Sequence, residues 1–185
     1  MRQVTTGKFK LATVWLDGCS GCHMSFLDLD EWLLDLAERV EVVYSPIADV
    51  KSYPESVDVA LVEGAIANEE HLHLARLVRA HTRLLIAFGD CAVTGNISAI
   101  RNTTGSAQSV LEHVYLHGNG DGPLPNAPGI VPVLLDRVQP LHAVVSVDAY
   151  LPGCPPNARR IRAALEQVLA GGELRLEGHD MLAFG

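Results

Sequence analysis

Short apolar runs alternate with amphipathic segments along most of the chain, and this alternation constrains the fold more than any other feature. Residues 24–39, 68–80 and 157–170 have apolar side chains at helical spacing, and 93–100 and 106–113 fit shorter helices. Five apolar runs have the length of buried strands, and these are residues 10–17, 41–47, 57–63, 83–88 and 143–149. Because a helix must return the chain between parallel strands, the pattern predicts an α/β fold: a flavodoxin-like, doubly wound, parallel five-stranded sheet with helices on both faces.

The composition fits one folded domain. The chain has 185 residues, of which 48% are apolar and 19% are charged, and this is enough for a sizeable core. We therefore expect a single domain over residues 1–185, with terminal tails at 1–9 and 173–185. Residues 117–129 are rich in Gly and Pro and predict a long loop, which either has a functional or interface role or is a mobile insertion.

The charge and the apolar pattern argue against several classes of partner. A net charge of −8 disfavours nucleic acid and anionic membrane surfaces, since both are bound mainly through Lys and Arg. No apolar run approaches the roughly 18 residues of a membrane span, and the N-terminal residues show no signal sequence or twin-arginine pair. We therefore expect a cytoplasmic protein with protein partners. In that reducing compartment, cysteines are expected as metal ligands or redox thiols rather than as disulfides.

Four cysteines follow the predicted strands. Cys19 and Cys22 come after the first strand, Cys91 after the fourth and Cys154 after the last. Parallel strands of such a sheet end at one edge, where ligands bind in this class of fold, so we expect the four thiols to meet there. Glu63 ends the third predicted strand and is expected to join them.

The surroundings of the cysteines favour thiolate ligands. Cys19 and Cys22 precede a predicted helix, whose positive dipole end stabilises negative sulfur, and Pro155 restricts the backbone of Cys154. Four thiolates suit a 4Fe-4S cluster or a structural zinc ion, while a lone CxxC pair also suits a thioredoxin-like redox site. Zinc sites of this kind usually contain two close pairs, whereas this chain has one pair and two distant single cysteines. The cluster is therefore the favoured hypothesis.

Four motifs resemble, in order, those of a known family. They are DGCSGCH at 17–23, EGA at 63–65, GDCA at 89–92 and PGCPP at 152–156. The series is similar to the motifs of the nickel–iron hydrogenase small subunit, most of all the short small subunit of cytoplasmic, bidirectional NAD-reducing hydrogenases. The resemblance extends from about residue 10 to residue 171. One departure is local: Gly95 and Asn96 stand where many relatives have two glycines.

The resemblance implies a cofactor, a reaction and partners. Cys19, Cys22, Cys91 and Cys154 would hold one 4Fe-4S cluster at the carboxyl edge of the sheet, beside a nickel–iron centre on the large subunit. The chain would be the electron-relay subunit of a hydrogen dehydrogenase (H2 + NAD+ = H+ + NADH). Its other partners would be diaphorase subunits with iron–sulfur clusters, FMN and NAD. Glu63 is a candidate proton relay, and its alternative role is to cap a helix or order the cysteine loop.

Neighbouring families leave alternatives open. The cluster subunit of complex I shares the fold and ligand layout but typically has adjacent cysteines at the first site, whereas two residues separate Cys19 from Cys22. Small subunits of F420- or sulfur-linked hydrogenases would share the cluster and differ in the electron acceptor. A flavodoxin-like FMN protein would need a phosphate-binding loop where this chain has CSGC, which disfavours FMN in its usual place.

Overall fold

Five parallel strands form the central sheet in a computed structural model, which describes residues 7–117, 122–171 and 174–184. The strands found in these ranges are β1 (Phe9–Trp15), β2 (Val40–Tyr44), β3 (Val57–Glu63), β4 (Ile66–Asn68), β5 (Thr82–Phe88), β6 (Leu134–Gln139) and β7 (Ala149–Leu151). The order in the central sheet is β2-β1-β3-β5-β7, and every neighbouring pair is parallel. This is the flavodoxin-like order, so the predicted fold class is confirmed.

The helices alternate with the strands along the chain. Within the described ranges they are α1 (Gly21–Leu27), α2 (Trp32–Arg39), α3 (Glu69–His81), α4 (Asp90–Thr94), α5 (Ala107–Tyr115), α6 (Ala158–Leu169) and α7 (His179–Leu182). Two 3-10 helices, Asn96–Thr103 and Leu141–Ala143, follow α4 and β6. The predicted helices at 68–80 and 157–170 agree with α3 and α6 to within a residue at each end, because the side chains of Asn68 and Asn157 cap them by accepting backbone N–H groups of the first turn.

Each face of the sheet has its own apolar core. Successive side chains of a strand point to opposite faces, so Leu11 belongs to one core and Ala12 to the other. Helices α1, α2 and α6 cover the first face, and α3 and the 3-10 helix after β6 cover the second. The buried helical side chains in contact with the first face include Phe26, Leu36, Ile161 and Leu165, and those on the second include Ala75, Val78 and Leu141.

The single helix predicted over residues 24–39 is wrong. The chain leaves the helix after Leu27, and Asp30 has a left-handed backbone with a φ of 49° before α2 begins. Leu29 and Trp32 are nevertheless buried in the same core as the side chains of α1 and α2. The apolar spacing therefore continues across the break, since both short helices pack on one face of the sheet.

The prediction of the last strand over residues 143–149 is also wrong, because β7 begins only at Ala149 and ends at Leu151. Only residues from Ala149 pair with β5, while Val144, Val145 and Val147 pack against the second core from an irregular segment. Asp148 fixes the start of the strand, because its carboxylate accepts hydrogen bonds from the Leu85 N–H at 2.7 Å and from Arg79 at 2.6 Å. The valines of this run are thus partly buried against the second core without being part of the sheet.

A small antiparallel sheet of β4 and β6 lies beside the central sheet and was not expected from the sequence. The segment predicted as a helix over 93–100 is divided between α4 and the 3-10 helix Asn96–Thr103, whereas the prediction at 106–113 corresponds to α5. Part of the predicted 117–129 loop and of both predicted tails lies outside the described residues. No helix in the described ranges has the length and apolar content needed to cross a membrane.

The carboxyl ends of β1 and β3 meet at Gly64. The Leu16 N–H donates to the Glu63 carbonyl at 2.8 Å, and Asp17 and Ala65 form an antiparallel bridge. Gly64 has a φ of +92°, and a Cβ atom there would lie only 2.8 Å from the Asp17 nitrogen. The two chain segments can approach this closely only because residue 64 has no side chain.

We expect Gly64→Ala to lower the free energy of unfolding by about 2 to 4 kcal/mol, because alanine both resists the positive φ and collides with backbone atoms. Chemical denaturation of the full chain measures this change. Gly122→Ala is the matched control, since a Cβ atom at residue 122 meets nothing within 4 Å. Equal stability of the two variants would contradict the assigned role of Gly64.

Candidate metal centre

The four cysteines all lie beyond the carboxyl ends of strands of the central sheet. Cys19 is in the loop after β1, and Cys22 is in the first turn of α1. Cys91 is in the first turn of α4 after β5, and Cys154 follows β7. Cys22 and Cys91 are buried, while Cys19 and Cys154 are exposed, and all four are free thiols. The group therefore reaches from the interior of the protein to its surface.

The thiols are close enough to influence one another electrostatically. Burial raises the pKa of Cys22 far above its usual value, and negative charge on Glu63 and on the other three cysteines raises it further. The pKa of Cys91 is also raised, first by burial and then by Cys154 and Cys19. Each of these charges opposes ionisation of the buried thiols, so thiolates here need positive charge to offset them.

The four cysteines are not arranged as a site for one ion. In the described part of the chain, no three or more His, Cys, Asp or Glu side chains are arranged to hold a single metal ion. Four sulfurs on one tetrahedral zinc ion would lie roughly 3.8 Å apart, given Zn–S bonds of about 2.3 Å. In a 4Fe-4S cluster each sulfur binds a different iron atom, so the ligands are further apart.

The loops after β5 and β7 are joined by backbone hydrogen bonds. The Gly89 N–H donates to the Leu151 carbonyl at 2.8 Å, and the Asp90 N–H donates to the Gly153 carbonyl at 2.9 Å. A second bond joins the same two residues, since the Asp90 carboxylate accepts the Gly153 N–H at 2.6 Å. These bonds hold the segment before Cys91 against the segment before Cys154.

Gly89 leaves room for a cysteine. Its φ is +83°, and a Cβ atom at residue 89 would lie 2.2 Å from the sulfur of Cys22. Ser25 of α1 also donates its hydroxyl to the Pro156 carbonyl at 2.6 Å, which ties α1 to the loop that carries Cys154. Thus the segments that carry Cys22, Cys91 and Cys154 are in mutual contact.

Glu63 lies at the site, buried with an exposed fraction of 2%. Its carboxylate accepts the backbone N–H groups of Cys22 at 3.4 Å and of His23 at 3.0 Å, and it also pairs with His23 Nδ1. Ser20, at the N-cap position of α1, provides no side-chain cap. Glu63 therefore satisfies the free N–H groups of the first turn of α1 and orders the segment that carries Cys22.

His23 is almost fully enclosed. Its ring is edge-on to Phe88, with 6.3 Å between the ring centroids, and its Nε2 atom has no hydrogen-bond partner among the described residues. From the sequence, His23 is expected to be a polar interface or hydrogen-bonding residue rather than a ligand. The contact with Glu63 has that character.

Residues after Cys91 also reach the site, and the sequence did not predict this. The Asn96 amide donates to the sulfur of Cys154 at 3.5 Å, and the Ser98 hydroxyl donates to the Asp17 carbonyl at 2.9 Å. Ser98 and Ile97 line a shallow hollow of about 270 Å³ beside Cys19. The departure from a glycine pair at residue 96 was the only signal of this contact in the sequence.

Large apolar side chains close to the cysteines in the sequence or in the fold are exposed. Trp15, Met24 and Ile97 have exposed fractions of 46%, 58% and 61%. The Trp15 indole N–H donates to the Gly18 carbonyl at 3.1 Å, which places this ring against the loop of Cys19. Exposed apolar side chains grouped in this way are typical of a surface that binds another protein.

The sequence is similar to subunits of known hydrogenases. The chain is 37% identical over 171 residues to the delta subunit of the NAD-reducing hydrogenase HoxS of Cupriavidus necator, with 89% of this chain and 80% of that protein covered. It is also 37% identical over 175 residues to a subunit of the F420-non-reducing hydrogenase of Methanothermobacter thermautotrophicus, with 91% of this chain covered. The chain spans only 56% of the length of that second relative.

Solved structures share the fold. A chain in the crystal structure of an NAD+-reducing [NiFe]-hydrogenase in the H2-reduced state is 40% identical, with a TM-score of 0.90, and the match covers 97% of this chain and 100% of that one. A [NiFeSe]-hydrogenase chain of Dm. baculatum, at 17% identity and a TM-score of 0.57, shares the fold alone. Residues 19–168 match the family model described as NADH ubiquinone oxidoreductase, 20 Kd subunit. On this match and on the identity to its relatives, the chain belongs to the NADH ubiquinone oxidoreductase 20 kDa subunit family.

Proposed function

We propose that this chain is the electron-relay small subunit of a cytoplasmic nickel–iron hydrogenase, with one 4Fe-4S cluster bound by Cys19, Cys22, Cys91 and Cys154. The observation that carries the proposal is the group of four thiols beyond β1, β5 and β7, in which the other three lie close enough to Cys22 for their charges to raise the pKa of that thiol. The identity of 40% to a chain of an NAD+-reducing [NiFe]-hydrogenase supports the same assignment.

The residues present fit such a cluster. Two of the four thiols are buried beside the carboxylate of Glu63, and all the charges named for Cys22 disfavour its ionised form. Iron ions bound directly to sulfur supply the positive charge that this set lacks, and they deprotonate the thiols that bind them. When bound, the cluster supplies one-electron transfer.

The chain itself positions and shields the group. Burial of Cys22 and Cys91 excludes water from the inner side, and Glu63 holds the helical turn that carries Cys22. Cys19 and Cys154 are exposed, and the exposed Trp15 ring lies against the loop that carries Cys19. We infer that the hydrogenase large subunit, with its nickel–iron centre, covers this face.

We further infer that the electron acceptor is NAD+, reached through diaphorase subunits with iron–sulfur clusters and FMN. The support is the similarity to a chain of an NAD+-reducing [NiFe]-hydrogenase, which is 40% identical and matches 97% of this chain with a TM-score of 0.90. The proton-relay role of Glu63 stays a prediction. Its contacts with two backbone N–H groups favour the alternative role of ordering the cysteine loop.

The proposed function is tested by isolating the chain with its partners from the native host without oxygen. We expect a nickel-containing large subunit in the complex and H2-dependent reduction of NAD+. Reduction of F420 or of sulfur instead would assign the complex to the other hydrogenase groups. A complex that lacks nickel and oxidises NADH with a quinone would contradict the hydrogenase assignment.

We expect the full chain, isolated without oxygen, to contain about four iron atoms and four sulfides per molecule, as one 4Fe-4S cluster requires. Cys91→Ala should lose most of both, because it removes a ligand from the buried side. Metal and acid-labile sulfide analysis measures the loss. Ser52→Ala, a change at an exposed residue, is the control and should retain both. Stoichiometric zinc without sulfide would contradict the cluster assignment.

We expect Glu63→Gln to make the midpoint potential of the cluster more positive. A buried negative charge disfavours the reduced cluster, which has one more electron, so its removal favours reduction. A redox titration followed by electron paramagnetic resonance measures the shift. Glu38→Gln makes the same charge change at an exposed site, where solvent screens it, and should leave the potential unchanged. An unchanged potential in the Glu63 variant would exclude this electrostatic role.

A further inference from the structure

We propose that Asn96 sets the reduction potential of the bound cluster, by donating a side-chain N–H to the sulfur of Cys154. This inference rests on the proposed function. The distance from the Asn96 amide nitrogen to this sulfur is 3.5 Å, within the range for hydrogen bonds to sulfur. The two residues are 58 positions apart in the sequence, so the contact depends on the tertiary fold.

The backbone of Asn96 is held in the conformation that this contact needs. Its φ is +36°, in the left-handed region that asparagine tolerates better than most residues with a side chain. The Thr94 hydroxyl accepts the Asn96 N–H at 3.3 Å and donates to the Asp90 carbonyl at 2.9 Å. Asn96 is thereby tied to the residue that precedes Cys91.

The 3-10 helix Asn96–Thr103 is anchored at its middle and at its far end. Ser98 binds the Asp17 carbonyl, near Cys19, at 2.9 Å. Arg101 donates to the carbonyls of Ala67 and Leu135 at 2.9 and 2.7 Å, and so joins this helix to the small β4–β6 sheet. These anchors fix the start of the helix, and with it the amide of Asn96, relative to two cysteine loops.

The direction of the effect follows from charge. On reduction a cluster gains an electron, part of whose charge is carried by the cysteine sulfurs, and an N–H directed at a sulfur stabilises that state more than the oxidised one. Asn96 therefore raises the potential and opposes the effect of the buried carboxylates. Both Asn96 and Cys154 are exposed, so water competes for this hydrogen bond in the isolated chain. A partner protein that covers this edge excludes that water and therefore strengthens the bond.

The test compares Asn96→Gly and Asn96→Asp with the wild-type full chain, each loaded with iron and sulfide without oxygen. Glycine keeps the left-handed backbone and removes the amide, whereas aspartate keeps the shape, removes the donor and adds a negative charge. We expect a more negative midpoint potential in both, with the larger shift in Asn96→Asp. At the wild-type midpoint, the ratio of reduced to oxidised cluster should fall about two- to tenfold.

Asn68→Gly is the matched control, because Asn68 caps α3 and its side chain bonds to His71 rather than to a cysteine. It should leave the potential unchanged even if it lowers stability. Resonance Raman bands of the iron–cysteine bonds should shift in the Asn96 variants and not in the control, which separates a bond to sulfur from a structural effect.

The outcomes separate this inference from the proposed function. A wild-type chain that takes up no 4Fe-4S cluster would contradict the proposed function. If the wild-type chain and either Asn96 variant bind the cluster but have equal midpoint potentials, the role of Asn96 is overturned. The proposed function is then left intact. Equal shifts in the Asn68 control would also overturn the role of Asn96.

Discussion

Negative charge is concentrated at the carboxyl edge of the sheet, and the rest of the site depends on how it is offset. Cys22 and Cys91 are buried there, and Glu63 and the neighbouring thiols add to the cost of ionising them. The chain satisfies its carboxylates with backbone N–H groups, as for Glu63 on Cys22 and Asp90 on Gly153. Every charge that acts on Cys22 disfavours its ionised form. Iron bound to all four sulfurs would provide the offsetting positive charge.

The position of these groups is set by close backbone contacts more than by side-chain packing. Parallel pairing brings the ends of β1, β3, β5 and β7 to one edge, and the bonds from Gly89 to Leu151 and from Asp90 to Gly153 then fix the loops against each other. Glycines 64 and 89 lie where any side chain would collide with backbone or sulfur atoms. The apolar cores on the two faces stabilise this sheet and leave its carboxyl edge free for chemistry.

The fold could be predicted because buried parallel strands have a strong local signal. The run at 57–63 coincides with β3, in the middle of the sheet, where both faces are covered and most residues are apolar. The break at Asp30 could not be predicted from spacing, since the apolar side chains on both sides of it face the same core. The run at 143–149 fits a strand equally well, because packing against the second core and pairing in the sheet both favour valine. Strands β4 and β6 are short, and their pairing depends on residues far apart in the sequence, such as Ile66 and Gln139.

For the site, the sequence predicted which residues lie beyond the strand ends, because strand order alone determines that. It indicated helix capping or ordering of the cysteine loop as one role for Glu63, and the contacts of Glu63 with the first turn of α1 have that character. It did not predict the contact of Asn96 with Cys154, which depends on how the loops fold against each other. The central claim is that four distant thiolates bind one four-iron cluster. X-ray absorption at the iron edge of the chain isolated without oxygen tests it most directly. The account predicts iron surrounded only by sulfur, with further iron atoms as the next neighbours. Iron with nitrogen or oxygen ligands, or without neighbouring iron, would contradict it.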